Sequence, residues 1–126
     1  MLYIKTTLKP SPTHGIGLFA DQKISKGALI WKFDVGIDIL LRREAYDDLS
    51  EVGKSFFDHY GYWSPELNGY VVAADGHRFT NHSVSPNVGT IGAHEGDDGQ
   101  DVALRDIEPG EELTVDYRVF GEDPTH

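Results

Sequence analysis

A chain of 126 residues, 39% hydrophobic and 25% charged, has the length and balance of one soluble globular domain spanning 1–126, with too little chain for a second core. No apolar run approaches the ~20 residues that span a bilayer, and MLYIKTT lacks the charged start and long apolar stretch of a signal peptide, so an intracellular location is expected, cytoplasmic or, in a eukaryote, nuclear. The absence of cysteine excludes disulfides, thiolate metal sites and thiol catalysis, and a formal charge of −10 disfavours nucleic-acid phosphates and anionic membranes while favouring basic partners.

Fourteen glycines and six prolines are scattered, so turns punctuate the chain and no linker divides it. Tyr3–Thr7 is β-branched and aromatic and predicts a first strand. His14-Gly15-Ile16-Gly17-Leu18-Phe19-Ala20 follows, two glycines ahead of a strand. Such a pair lets backbone approach a ligand without Cβ interference. A dinucleotide loop would need a third glycine, a strand before it and a helix after it; here Pro10 and Pro12 precede, and a plain turn is the simpler alternative.

Leu29–Phe33 predicts another strand, and Leu41–Tyr60 is the one stretch with helical period, setting Ala45, Leu49, Val52 and Phe56 on one face. Ser50 is placed to cap a second helical piece, weakened by Gly53 in its first turn. Tyr60-Gly61-Tyr62-Trp63 closes that stretch, and Tyr70–Ala73 is again strand-like. Arg78-Phe79-Thr80-Asn81-His82-Ser83-Val84-Ser85-Pro86-Asn87 is rich in groups that hold an irregular chain by bonding its own backbone. On its own it reads better as an Asx- and Ser-rich loop with His82 as a buried, hydrogen-bonded structural residue. Glu95–Asp101 lacks the ligand spacing of a calcium loop and is expected to be a solvated hairpin tip. Glu108-Pro109-Gly110-Glu111-Glu112-Leu113-Thr114-Val115-Asp116-Tyr117 is a turn launching the strand Leu113–Val115, which ends in an acid and a tyrosine. No His-x-His pair or Glu-x-x-His repeat appears among the six histidines, so a metalloprotein is disfavoured and no metal is expected.

An internal echo runs through the chain. Ala20, Ile24, Gly27 and Ile30 recur, 83 positions later, as Ala103, Ile107, Gly110 and Leu113. Each copy is an apolar residue, a turn ending in glycine and a returning apolar strand, which predicts two related hairpins packed together.

The glycine pair, the Arg78–Asn87 segment and the Glu108–Tyr117 strand, in this order, resemble the SET-domain signature: glycine-x-glycine, arginine-phenylalanine-x-asparagine-histidine running to proline-asparagine, then glycine-glutamate-glutamate-leucine leading to aspartate-tyrosine. The resemblance covers about Lys5 to Phe120, and its second and third motifs match almost letter for letter. It implies a mainly β fold of several small sheets with a short helical insertion and a C-terminal pseudoknot, rare among proteins. It also implies a protein-lysine methyltransferase using S-adenosylmethionine (SAM) on a protein with an accessible lysine, which the acidic surface suggests is a basic one, histone-like or ribosomal.

By the same resemblance, His14, Gly15, Ile16 and Gly17 would hold the cofactor's amino-acid part and ribose, Asn81 and His82 its methionine part and adenine edge. Tyr60 would reach the cofactor, although aromatics plugging the core at a helix C-terminus are the alternative. Tyr62 would line the lysine channel, Phe120 would cover the adenine or close that channel, and Tyr117 would be catalytic. No histidine base is needed, so neither His77 nor His82 is given that task. Three departures stand out. Val84 occupies the family's usual cysteine position, no cysteine-rich tail follows Tyr117, and Val115 stands where relatives carry an aromatic affecting how many methyls are added. Some substrate surface then has to come from elsewhere, and a second copy of the chain, as a homodimer, is one source. The rival from another class is a non-catalytic SET-fold module that binds peptide or cofactor without transfer.

Overall fold

The short β-branched and aromatic runs pair into four small sheets; the computed structural model describes residues 1–92 and 99–117. Strands β1 (Thr6–Pro10) and β2 (Ile16–Ala20) form an antiparallel hairpin whose tip is the glycine pair. Strands β3 (Leu29–Lys32), β8 (Val88–Ile91) and β9 (Gln100–Ala103) form a sheet in the order β3-β9-β8. Strands β4 (Ile39–Arg42), β5 (Tyr62–Ser64) and β6 (Gly69–Val72) form another, with β6 central. The two-residue strands β7 (Asn81–His82) and β10 (Thr114–Val115) pair in parallel. Helices α1 (Arg43–Asp47) and α2 (Glu51–Tyr60) lie between β4 and β5, and a 3₁₀ turn, Gly76–Phe79, leads into β7. The mainly β, small-sheet architecture with a helical insertion expected from the sequence is what is found.

The first strand sits later than Tyr3–Thr7. Tyr3 N–H donates to the Ile30 carbonyl at 2.8 Å and Leu2 pairs with Trp31. The chain start therefore edges β3, and only from Thr6 does it turn to pair with β2.

The helical stretch also differs. Residues 39–42 extend as β4 and the helix breaks at Asp48–Ser50, where the Ser50 hydroxyl caps α2 by accepting from Gly53 N–H at 3.1 Å. Each helix takes its own phase, so Ala45 is exposed and Val52 is 82% exposed. Tyr46 is buried instead, stacked on Tyr70 at 4.3 Å with its hydroxyl on Asp58 at 2.7 Å. One large ring thus orients the insertion, while of the predicted face only Leu49 and Phe56 are partly buried.

Strands β8 and β9 flank a hairpin connection, of which residues 93–98 lie outside the described residues. Asp101, expected at a solvated tip, is 5% exposed, because β9 begins at Gln100 and turns its carboxylate into the core.

The echo is a physical near-symmetry. Ile24 and Ile107 exchange both main-chain hydrogen bonds at 2.8 Å. Around them, Gly27 N–H donates to Ala103 O and Gly110 N–H to Ala20 O, while Ala103 N–H donates to Ala28 O and Ala20 N–H to Glu111 O. Every bond has its counterpart under the 83-residue offset. The paired hairpins close the core of Leu18, Ile24, Ile30, Val88, Ile107 and Leu113, all at most 1% exposed. Gly27 and Gly110 turn with φ of +85° and +89°, and a Cβ there meets nothing within 4 Å. Gly27→Ala and Gly110→Ala should therefore each destabilise by about 1–2 kcal/mol through backbone conformation alone. Urea midpoints that fall by similar amounts at the two sites would bear out the equivalence.

Candidate functional site

The loop between β1 and β2 is shaped locally: Ser11 N–H donates to Gly15 O at 2.7 Å, and the Ser11 hydroxyl accepts from Thr13 N–H at 3.1 Å. Gly15 takes φ +48°, a left-handed conformation suited to glycine. His14, Gly15 and Ile16 are exposed, while Gly17 is buried. A Cβ on Gly17 would run into the Glu112 carboxylate and come within 3.2 Å of the Asn81 amide. The second glycine is thus required by the protein's own side chains.

Those side chains tie three remote segments together. Asn81 Nδ2 donates to His14 O at 3.0 Å, to Ile16 O at 3.3 Å and to Glu112 Oε2 at 2.9 Å. The other carboxylate oxygen of Glu112 accepts from the Ser11 hydroxyl at 2.9 Å. Buried Asn87 clamps the same strand, donating to Glu112 O and accepting from Thr114 N–H, both at 2.8 Å. The parallel register Thr114↔Asn81, Val115↔His82 follows from these bonds and from Ser83 N–H on Val115 O at 2.9 Å.

Two residues beyond Val115, Tyr117 N–H donates to His82 Nδ1 at 3.0 Å, which leaves that ring's proton on Nε2. The Asp116 carboxylate is 3.8 Å from Nδ1, with no hydrogen between them to bond. The Tyr117 hydroxyl donates to the Thr80 carbonyl oxygen. Its ring is 47% exposed, and the buried part pushes the phenol above its usual pKa.

The arrangement is matched by the SET domain family profile over residues 15–118. The chain belongs to the SET domain family. Among solved structures it is similar to a chain of a humanized mutant of the Chaetomium thermophilum Polycomb Repressive Complex 2 bound to the inhibitor GSK126, at TM-score 0.63 and 25% identity. That match covers 90% of this chain and 15% of the other, so this SET domain spans a small part of that relative's length. A comparison with curated proteins finds no match. SET domains in general are SAM-dependent protein-lysine methyltransferases.

In this SET domain the expected residues fall into two joined groups: His14–Gly17 with Asn81, and His82 with Tyr117. Tyr60 packs on Phe79 at 5.7 Å and under the Arg78 guanidinium at 5.6 Å, so it abuts the turn leading to Asn81. Its ring also meets Phe56 at 5.3 Å, the packing contact that was the alternative. Tyr62, on β5, pairs with Val71 of β6 and packs against the core. Phe120 lies outside the described residues. Among the described residues, no group of three or more His, Asp or Glu converges as a metal site, and no helix is long and apolar enough to cross a membrane.

Glu112 and Thr80 were missed as site residues. Under the echo Glu112 corresponds to Leu29, and a charge where its counterpart is apolar was the available signal. Removing that carboxylate by Glu112→Ala should cost about 1–3 kcal/mol of stability and speed amide hydrogen exchange at residues 13–17. Glu112→Gln, which keeps an acceptor there, should recover part of both; unchanged exchange in Glu112→Ala would refute the brace.

Proposed function

We propose that this SET domain transfers the methyl group of SAM to the side-chain amine of a lysine in a basic protein. The observation that carries this reading is the parallel β7–β10 pairing, which sets Tyr117 beside His82, the neighbour of Asn81, itself bonded to the glycine loop.

The donor set suits a ligand with ammonium and sulfonium centres. The Glu112 carboxylate accepts from Ser11 and Asn81 and the Thr80 carbonyl from Tyr117, so both present acceptor oxygen at the site. Asn81 spends its amide hydrogens on the protein, leaving Oδ1 as an acceptor. In this assignment main-chain groups of His14–Gly17 hold the amino-acid part and ribose, and Asn81 and His82 the methionine part and adenine edge. Tyr60 approaches from the end of α2, and Tyr62 lines the lysine channel.

When bound, SAM supplies a methyl carbon on a sulfonium, open to in-line attack by an uncharged amine. Holding a lysine neutral at pH 7 against its ordinary pKa of 10.4 costs about 4.6 kcal/mol. Partial burial and a nearby positive charge both lower that cost. Tyr117 directs its own hydrogen into the Thr80 carbonyl, so toward methyl C–H groups and the incoming amine its oxygen acts as an acceptor. Alignment at ~3–3.5 Å recovers several kcal/mol of barrier. The amine's proton leaves through water; His82, its Nδ1 occupied by Tyr117 N–H, is no base.

Radiolabelled transfer from SAM to mixed core histones, with calorimetry for SAM binding, tests the reading. Tyr117→Phe should keep SAM affinity and lower transfer by about a hundredfold. Binding without transfer across a broad panel of lysine-bearing proteins would favour the non-catalytic module. Raising the salt concentration should raise substrate KM, because the domain carries −10 and its partner is basic.

The rate should climb with pH as the lysine loses its proton. The raised phenol pKa keeps Tyr117 neutral throughout that climb, so any fall should begin only above the ordinary tyrosine range near 10. A fall setting in below pH 9 would contradict a neutral Tyr117.

A further inference from the structure

A second set of polar groups, used by nothing above, crosses the core and ends at the Tyr117 hydroxyl. The Thr90 hydroxyl donates to Asp101 Oδ1 at 2.6 Å, and Asp101 Oδ2 is 2.9 Å from His77 Nε2. His77 Nδ1 is 3.2 Å from Thr80 Oγ1, and Thr80 is the residue whose carbonyl receives Tyr117. His77, Thr80 and Asp101 are each at most 9% exposed, and the imidazole stacks on buried Trp31 at 4.9 Å.

Thr80 Oγ1 lies 2.7 Å from the His77 carbonyl, to which it donates, and 3.2 Å from His77 Nδ1. His77 Nε2 faces the Asp101 carboxylate at 2.9 Å and donates to it. The ring thus bridges strand β9 and the peptide at Thr80 with both nitrogens. Asp75, at the cap of the 3₁₀ turn, fixes the other side by accepting from His77 N–H at 3.2 Å.

We propose that the buried Asp101–His77–Thr80 chain is a positioning device for the Tyr117 hydroxyl. Apolar residues filling such a space are often no less stable, and a buried polar chain is favourable only when every member is bonded. A chain of this kind that ends on the carbonyl orienting the reactive phenol holds that carbonyl in one place. His77 and Asp101 are positioning residues: they touch neither substrate nor cofactor. The inference rests on the reading of Tyr117 as the residue at the reacting methyl.

The test compares Thr80→Val, Thr80→Ser and Asp101→Asn with Tyr117→Phe. Three readouts are used: SAM affinity by calorimetry, labelled transfer to mixed core histones, and the ¹³Cζ resonance of Tyr117 among the six tyrosines. Thr80→Val and Asp101→Asn should lower kcat by about ten- to a hundredfold, keep SAM affinity within about twofold, and move the Tyr117 resonance while the other tyrosines hold. Thr80→Ser should restore the wild-type values. Wild-type kcat and an unmoved Tyr117 signal in Thr80→Val would overturn the proposal. So would SAM affinity falling in step with kcat, or all tyrosine signals shifting together, since either marks a general structural defect. Full activity in Tyr117→Phe would instead remove the functional reading and this inference with it. Loss in Tyr117→Phe with none in Thr80→Val removes the inference alone. Should Asp101→Asn not fold, the Thr80 pair decides; should histones accept no methyl, the resonance and SAM affinity decide.

Discussion

Two residues of β7 lying parallel to two residues of β10 are too few main-chain bonds to hold two remote segments together. Side chains supply the rest. Asn81 reaches the glycine loop, Asn87 grips the main chain of Glu112 and Thr114 from both directions, and the Glu112 carboxylate joins Asn81 to Ser11. Three loops that would drift apart in water are thereby fixed by buried and half-buried amides, whose bonds must be complete because unmet partners in such a setting are expensive. The site's geometry is a by-product of this bonding.

That dependence explains which parts were legible in the sequence. Strand runs such as Leu29–Lys32 and Gly69–Val72 carry their own signal, because apolar β-branched residues on both faces serve a buried sheet. The Ser50 cap was legible because it acts within three residues. The joining of Asn81 and Tyr117 was reached by resemblance alone, since no local pattern reports that a strand as remote in sequence as β10 will lie alongside β7.

Missed features were the nonlocal ones. Tyr46 is buried by a stacking partner on another element, so helical period selected Ala45 and Val52 in its place. Asp101 looked like one more acid in a solvated run. Its burial depends on His77 and Thr90, which come from a turn and a strand elsewhere in the chain. The glycine at 17 was read as room for a ligand beside the backbone, and what crowds it, Glu112 and Asn81, belongs to the protein itself.

The reciprocal bonds between Ile24 and Ile107 have a consequence for how the molecule comes into being. Each hairpin takes main-chain bonds from its counterpart, and 83 positions of chain separate the two. The first half, emerging from a ribosome, lacks that partner, so the cover of Ile24 and Ile30 is incomplete until Ile107 and Leu113 arrive. Closure then happens late and all at once, across a long loop, which places this domain among slow folders for its size. The interval before closure, with an unpaired hairpin and incompletely covered isoleucines, is when the chain most needs protection from its neighbours.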